Sequence, residues 1–87
     1  MVIQSKKLER NKHYDAFLWN EGKRYHKSIT AVTDKQAKTL ARMWWLECIN
    51  NPRNKDNVIE DVQLHRSKIY WIYDSEQKRW KGPWKAV

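Results

Sequence analysis

Tryptophan and cationic side chains alternate in this sequence in a pattern suited to stacking on flat rings and neutralising phosphate. The densest instance is Lys78-Arg79-Trp80-Lys81-Gly82-Pro83-Trp84-Lys85, in which four cations are interleaved with two indoles. A second runs through Tyr14-Asp15-Ala16-Phe17-Leu18-Trp19, the tripeptide Asn20-Glu21-Gly22, and Lys23 to Ile29. Rings stacked on nucleobases contribute about 1–3 kcal/mol per base, while Lys and Arg neutralise the backbone. The candidate nucleic-acid-binding residues are Trp19, Lys23, Arg24, His26, Lys27, Arg66, Lys68, Lys78, Arg79 and Lys81. Basic contacts of this kind position a polyanion without reading its sequence. The competing interpretation is packing, with Trp80 and Trp84 closing the end of a core and the lysines solvated. Packing is preferred for Trp80, contact for Arg79 and Lys81.

Catalysis has little support. His13, His26 and His65 are scattered, without the H-x-x-x-H or H-E-x-x-H spacing of a metal site. Asp15, Glu60 and Asp61 could be assembled into a metal-dependent nuclease cluster, but nothing in their spacing demands it. With two glycines, Gly22 and Gly82, no glycine-rich phosphate loop is possible. The single cysteine, Cys48, excludes an intramolecular disulfide and a cysteine-rich zinc module. The expectation is a non-enzymatic chain that needs no metal and no cofactor.

The elements that must position these residues are legible in part. Two strand-like runs around Asn20-Glu21-Gly22 predict a β-hairpin. A two- or four-residue loop places Asp15, Phe17, Trp19, Arg24, His26 and Ser28 on one face, with Tyr14, Ala16, Leu18, Tyr25 and Ile29 on the other, whereas a three-residue loop exchanges the pairing and puts Phe17 opposite Tyr25. Thr33 followed by Asp34, Lys35 and Gln36 matches a helix capping box. Ala37, Leu40, Ala41, Trp44 and Cys48 then form a stripe, and Asn50-Asn51-Pro52 stops it, with Asn suited to a left-handed cap. The spacing predicts a helix over 34–50. Strands follow over Val58 to His65 and Lys68 to Tyr73, with a turn at Arg66-Ser67. A last one starts at Lys78 and is broken at Gly82-Pro83. The order β-β-α-β-β-β predicts an α+β fold, a small antiparallel sheet with one helix packed on one face. Residues 1–12 form a basic arm or an edge strand of this single domain, 1–87.

The predicted core is Leu18, Tyr25, Ile29, Leu40, Trp44, Val62, Ile69 and Trp71. Adjacent helical residues point about 100° apart, so Trp44 and Trp45 cannot both face inward. Trp45 then joins Met43, Leu46 and Ile49 in a second apolar strip. Met43, Trp45 and Ile49 are candidates for a partner interface, such as a homodimer. Coverage of that strip by residues 1–12 or 82–87 is the alternative.

Composition agrees with a polyanion partner. The 87 residues carry 18 Lys and Arg against 10 Asp and Glu, a net charge of +8, with 40% hydrophobic residues and six Trp. Residues 1–30 and 66–87 each net +4 around a nearly neutral middle, so one shared sheet face would be strongly positive. No apolar run approaches the roughly 20 residues of a membrane span, and no signal-peptide core follows Met1. The single unpaired cysteine suits a reducing compartment such as the cytoplasm.

The segment Tyr14 to Trp44 resembles the arm-type DNA-binding domain of phage tyrosine recombinases. The matching residues are Gly22-Lys23-Arg24, Ser28 to Thr30, Thr33 and Ala37 to Leu40. The resemblance implies a sheet entering the major groove of duplex DNA, with Trp19, Lys23, Arg24 and His26 as contacts. The strands expected after the helix depart from that pattern. The short, lysine- and tryptophan-rich chain also resembles small early proteins of bacteriophages. The leading expectation is therefore a nucleic-acid-binding protein, DNA or RNA, contacting phosphates with Lys and Arg and bases with sheet aromatics. The alternative is a viral inhibitor or adaptor that docks its basic surface and apolar helix strip on an acidic host protein.

Overall fold

The turn at Glu21-Gly22 organises the first half of the chain. Both residues have positive φ, 54° and 80°, the signature of a two-residue type I′ turn whose twist matches the flanking strands. It joins β1 (Lys12–Asn20) to β2 (Lys23–Ala31) in unbroken antiparallel register, with Trp19 opposite Arg24, Phe17 opposite His26 and Tyr14 opposite Ile29. The computed structural model describes residues 10–86. The expected arm or edge strand of residues 1–12 lies almost wholly outside them, with only Arg10 and Asn11 preceding β1.

Helix α1 (Asp34–Asn50) begins where the capping box predicts. Thr33 Oγ1 accepts from the Gln36 amide at 3.1 Å, and Gln36 Oε1 reaches back to the Val32 amide at 2.8 Å. Its C-terminus differs from expectation. Asn51 is extended (φ −70°, ψ 123°) rather than left-handed, because the ring of Pro52 disfavours helical backbone in the residue before it. Asn51 instead caps a one-turn 3₁₀ helix, Pro52–Asn54, accepting from the Arg53 amide at 2.9 Å. Asn54 Nδ2 then donates to the Cys48 carbonyl at 2.8 Å, which also accepts from the Asn51 amide at 3.4 Å.

Strands β3 (Gln63–Arg66), β4 (Ile69–Asp74) and β5 (Arg79–Lys85) complete a five-stranded antiparallel sheet of order β2-β1-β3-β4-β5. The fold is α+β with the helix on one face, as the sequence predicts. Three details differ. The chain from Val58 to Val62 is irregular and is tied to β1 at single points, such as the Glu60 amide to the Trp19 carbonyl. The turn between β3 and β4 is Ser67-Lys68, with Ser67 at φ 54°. Strand β5 is not broken at Gly82-Pro83 but passes through it, with a register shift against Tyr70 and Ile72. An edge strand tolerates Pro because its outward N–H has no ladder partner to lose.

The core is formed by Tyr14, Ala16, Leu18, Ile29, Ala31, Val62, Leu64, Trp71 and Tyr73 from the sheet and by Ala37, Ala41 and Trp45 from α1. The helix stripe is thus rotated from the expected one. Small Ala37 and Ala41, one turn apart, let the helix approach the sheet closely, and Trp45 continues their row. Trp45 packs edge-on against Tyr73 at 5.5 Å and donates its indole N–H to the Glu60 carbonyl at 3.0 Å. It is a core residue, which removes it from the expected partner interface. Trp44 is half-buried, while Leu40 and Tyr25, both expected inside, are exposed. Among the described residues, no helix is long and apolar enough to cross a membrane.

Candidate nucleic-acid interface

Alternation along the strands sorts the functional candidates between the helix-covered face and an open one. The cross-strand pairs put Asp15, Phe17 and Trp19 from β1 on the open face with Arg24, His26 and Ser28 from β2. His65 of β3, Tyr70, Ile72 and Asp74 of β4, and Arg79, Lys81 and Trp84 of β5 share it through their facing partners. The hairpin face expected from the two-residue loop is therefore present, and it continues across the whole sheet.

On that face the rings form one unbroken row that takes a member from every strand. From β5 to β2 it runs Trp84, Tyr70, His65, Phe17, His26. Successive centroids are 5.5, 5.1, 5.1 and 5.1 Å apart. These spacings follow the 4.7–4.9 Å separation of neighbouring strands, which aromatic cross-strand pairs can bridge. Tyr70 and His65 are nearly parallel, 14° apart, whereas Phe17 meets His65 edge-on at 90°. Trp84 is 42% exposed, and His26 also faces solvent at the other end of the row. Arg24 lies over the Phe17 ring at 5.1 Å, a cation–π contact that holds its guanidinium above the row.

Polar groups flank the rings. Asp15 accepts a 2.7 Å contact from His26 Nε2 and lies 3.7 Å from His13 Nε2. Lys81 donates to Asp74 at 2.9 Å, and that bond, helped by the Gln77 amide, holds the carboxyl below its ordinary pKa. Burial pushes the His65 imidazole below its usual range, with the Asp15 charge partly opposing it. The row is therefore built to present a neutral imidazole at its centre near neutral pH. On the helix side, burial and the 2.6 Å hydrogen bond to Asp34 push the Tyr14 phenol up to about 12. Burial raises the Cys48 thiol, consistent with an inert packed side chain.

The ten sequence-derived candidates do not gather in one place. Trp19, Arg24, His26, Arg79 and Lys81 share the open face. Lys23 and Lys27 point to the helix side of β2. Arg66 also faces the helix side and pairs with Asp34 at 3.3 Å. Lys68 and Lys78 occupy turns, Lys78 with φ 58°. Among the described residues, the basic groups of the two ends thus do not add into one positive face. The open face balances Arg24, Arg79 and Lys81 against Asp15 and Asp74. Met43 and Ile49 are exposed on α1, Met43 beside β2 and Ile49 beside the loop of Asn54 to Ile59.

Four members of the ring row were absent from the candidate set: Phe17, His65, Tyr70 and Trp84. Their strand parity was readable, but their adjacency depends on β3 inserting between β1 and β4, which no local signal announces. The histidines that look scattered along the chain all project from the open face, because His13 is opposite Thr30, His26 opposite Phe17 and His65 opposite Tyr70. Among the described residues, no group of three His, Cys, Asp or Glu side chains could hold a metal ion. Comparison with protein-family models, curated proteins and solved structures found no match for this chain.

Proposed function

We propose that the chain binds single-stranded nucleic acid, RNA or DNA, across the open face of its sheet without performing catalysis. The observation that carries this reading is the row Trp84–Tyr70–His65–Phe17–His26, five rings in contact on a face that no described element covers. Unstacked bases gain about 1–3 kcal/mol each from such a surface, and stacking tolerates any sequence. Arg24, Arg79 and Lys81 serve as phosphate contacts around the rings. Duplex DNA suits this face less well. Five strands span about 19 Å at their usual spacing, wider than the roughly 12 Å major groove.

Fluorescence-anisotropy titration of the full chain with labelled single-stranded RNA, single-stranded DNA and duplex DNA tests the proposal. Micromolar or tighter binding to a single strand, exceeding duplex binding, is expected. With three cations in contact, the slope of log K against log salt should be about −2. Absence of binding to either single strand, or a preference for duplex, overturns the proposal.

A further inference from the structure

The two edges of the sheet are built differently. Strand β5 carries a register shift and Pro83, devices that blunt an edge against further pairing. Strand β2 runs nine residues in straight register with β1, has no proline or bulge, and no described strand lies beyond it. The type I′ turn makes Asn20 and Lys23 a hydrogen-bonded pair, and bonded pairs then alternate along the hairpin. The N–H and C=O groups of Arg24, His26, Ser28 and Thr30 therefore point away from β1. The far side of β1 agrees: the Trp19 carbonyl, opposite Arg24, accepts from the Glu60 amide and so faces away from β2.

Beside this edge lies a groove of about 280 Å³ between β2 and α1, lined by Lys27, Ile29, Leu40, Met43, Trp44 and Glu47 among others. Met43 is 51% and Leu40 38% exposed, so the groove presents large apolar side chains to solvent. We infer that the β2 edge and this groove receive an extended acidic segment of another protein, added as a sixth antiparallel or parallel strand. Alternate side chains of that segment are apolar and enter the groove beside Leu40 and Met43. The intervening ones are acidic and lie beside Arg24 and His26 on the open-face side. Glu47, which lines the groove near Lys27, keeps acidic side chains out of it. Charge also selects the occupant. Strand β2 bears Lys23, Arg24 and Lys27 with no acidic residue, so a second copy pairing edge to edge would bring like charges together, whereas an acidic strand is attracted. This surface shares His26 and Arg24 with the β2 end of the ring row, but its backbone edge and groove lie outside the row and do not depend on the nucleic-acid proposal.

The test uses the ¹⁵N-labelled full chain and capped synthetic peptides, Glu-Leu-Glu-Val-Glu-Leu-Glu and its phase-shifted counterpart Leu-Glu-Val-Glu-Leu-Glu-Val. Residue-resolved amide hydrogen exchange should slow at least tenfold at Arg24, His26 and Ser28 on addition of one of them. Tyr25, Lys27 and Ile29, already paired with β1, should not change. Peptides with alternate backbone N-methyl groups, or with Lys in place of Glu, should lose this protection, and Met43→Glu should weaken binding at least fivefold. Tyr70→Ala should leave peptide binding intact even if it abolishes oligonucleotide binding. The inference is overturned if neither phase protects the three amides, if the N-methylated peptides protect them equally, or if these amides already exchange slowly in the free chain.

Discussion

His65 on β3 and Tyr70 on β4 face each other directly, their rings 5.1 Å apart and within 14° of parallel. Every other contact in the row is tilted or edge-on, so this stacked pair fixes its central plane. The pair joins the two halves of the open face, since His65 also touches Phe17 and Tyr70 also touches Trp84.

Removing Tyr70 should interrupt the row while sparing the core, because its side chain lies opposite the helix. Tyr70→Ala is expected to weaken single-stranded oligonucleotide binding by about 5- to 150-fold, the equivalent of one stacked base. Anisotropy titration, with circular dichroism to verify the fold, gives the answer. Unchanged affinity would remove the ring row from the binding site.

The pH dependence of stability follows from His65. Burial lowers its folded pKa below the ordinary 6.5, so between the two values the unfolded chain binds more protons. The stability it contributes is complete above about pH 6.5 and is lost as the pH falls through the lowered folded value. Urea unfolding at pH 7.5 and pH 5 should show a drop that is smaller in His65→Gln. Equal drops in both proteins would contradict this assignment.

The two neighbouring tryptophans of α1 should behave differently. Trp45→Ala removes a buried ring and leaves the Glu60 carbonyl without its indole donor, at a cost of about 3–5 kcal/mol. Trp44→Ala exposes a half-buried site on the groove and should cost about 1–2 kcal/mol. Denaturant midpoints of the two variants distinguish them, and the reverse order would contradict the observed helix rotation.

Gly82 links backbone to binding. Its φ is +114°, and an added Cβ would lie 2.9 Å from the Tyr70 carbonyl and 3.1 Å from the Trp84 ring. Gly82→Ala should cost about 1–3 kcal/mol and push Trp84 away from Tyr70. Reduced thermal stability together with weaker oligonucleotide binding is the expected pair of results, and a variant matching the parent in both would refute it.

Local chemistry made half of the architecture legible. Thr33 and Gln36 announce the start of α1, and the Asn20-Glu21-Gly22 run announces the hairpin and the parity of Phe17 and Trp19. The inward choice between Trp44 and Trp45 was not local. Ala37 and Ala41 can head a stripe with either, and the closeness of helix to sheet decides for Trp45. The open-face row was hidden for a related reason. Tyr70 and Trp84 are readable as strand residues, but His65 acquires its neighbours only through a strand order that departs from sequence order. Charge misled in the opposite sense, since Arg66 and Lys27 have strand positions whose parity turns them away from Arg24.

The sheet is two local meanders, β1–β2 and β3–β4–β5, joined along a short seam at Asp15–His65, Ala16–Leu64 and Phe17–Gln63. Those partners are roughly fifty residues apart in sequence, so closing the seam carries the largest loop entropy of the sheet. The ring row crosses that seam between Phe17 and His65. A bound strand lying over both halves would act as a splint, adding RT ln(1 + [L]/Kd) to the stability of the assembled state alone. Occupancy and folding would then be two measures of the same closure.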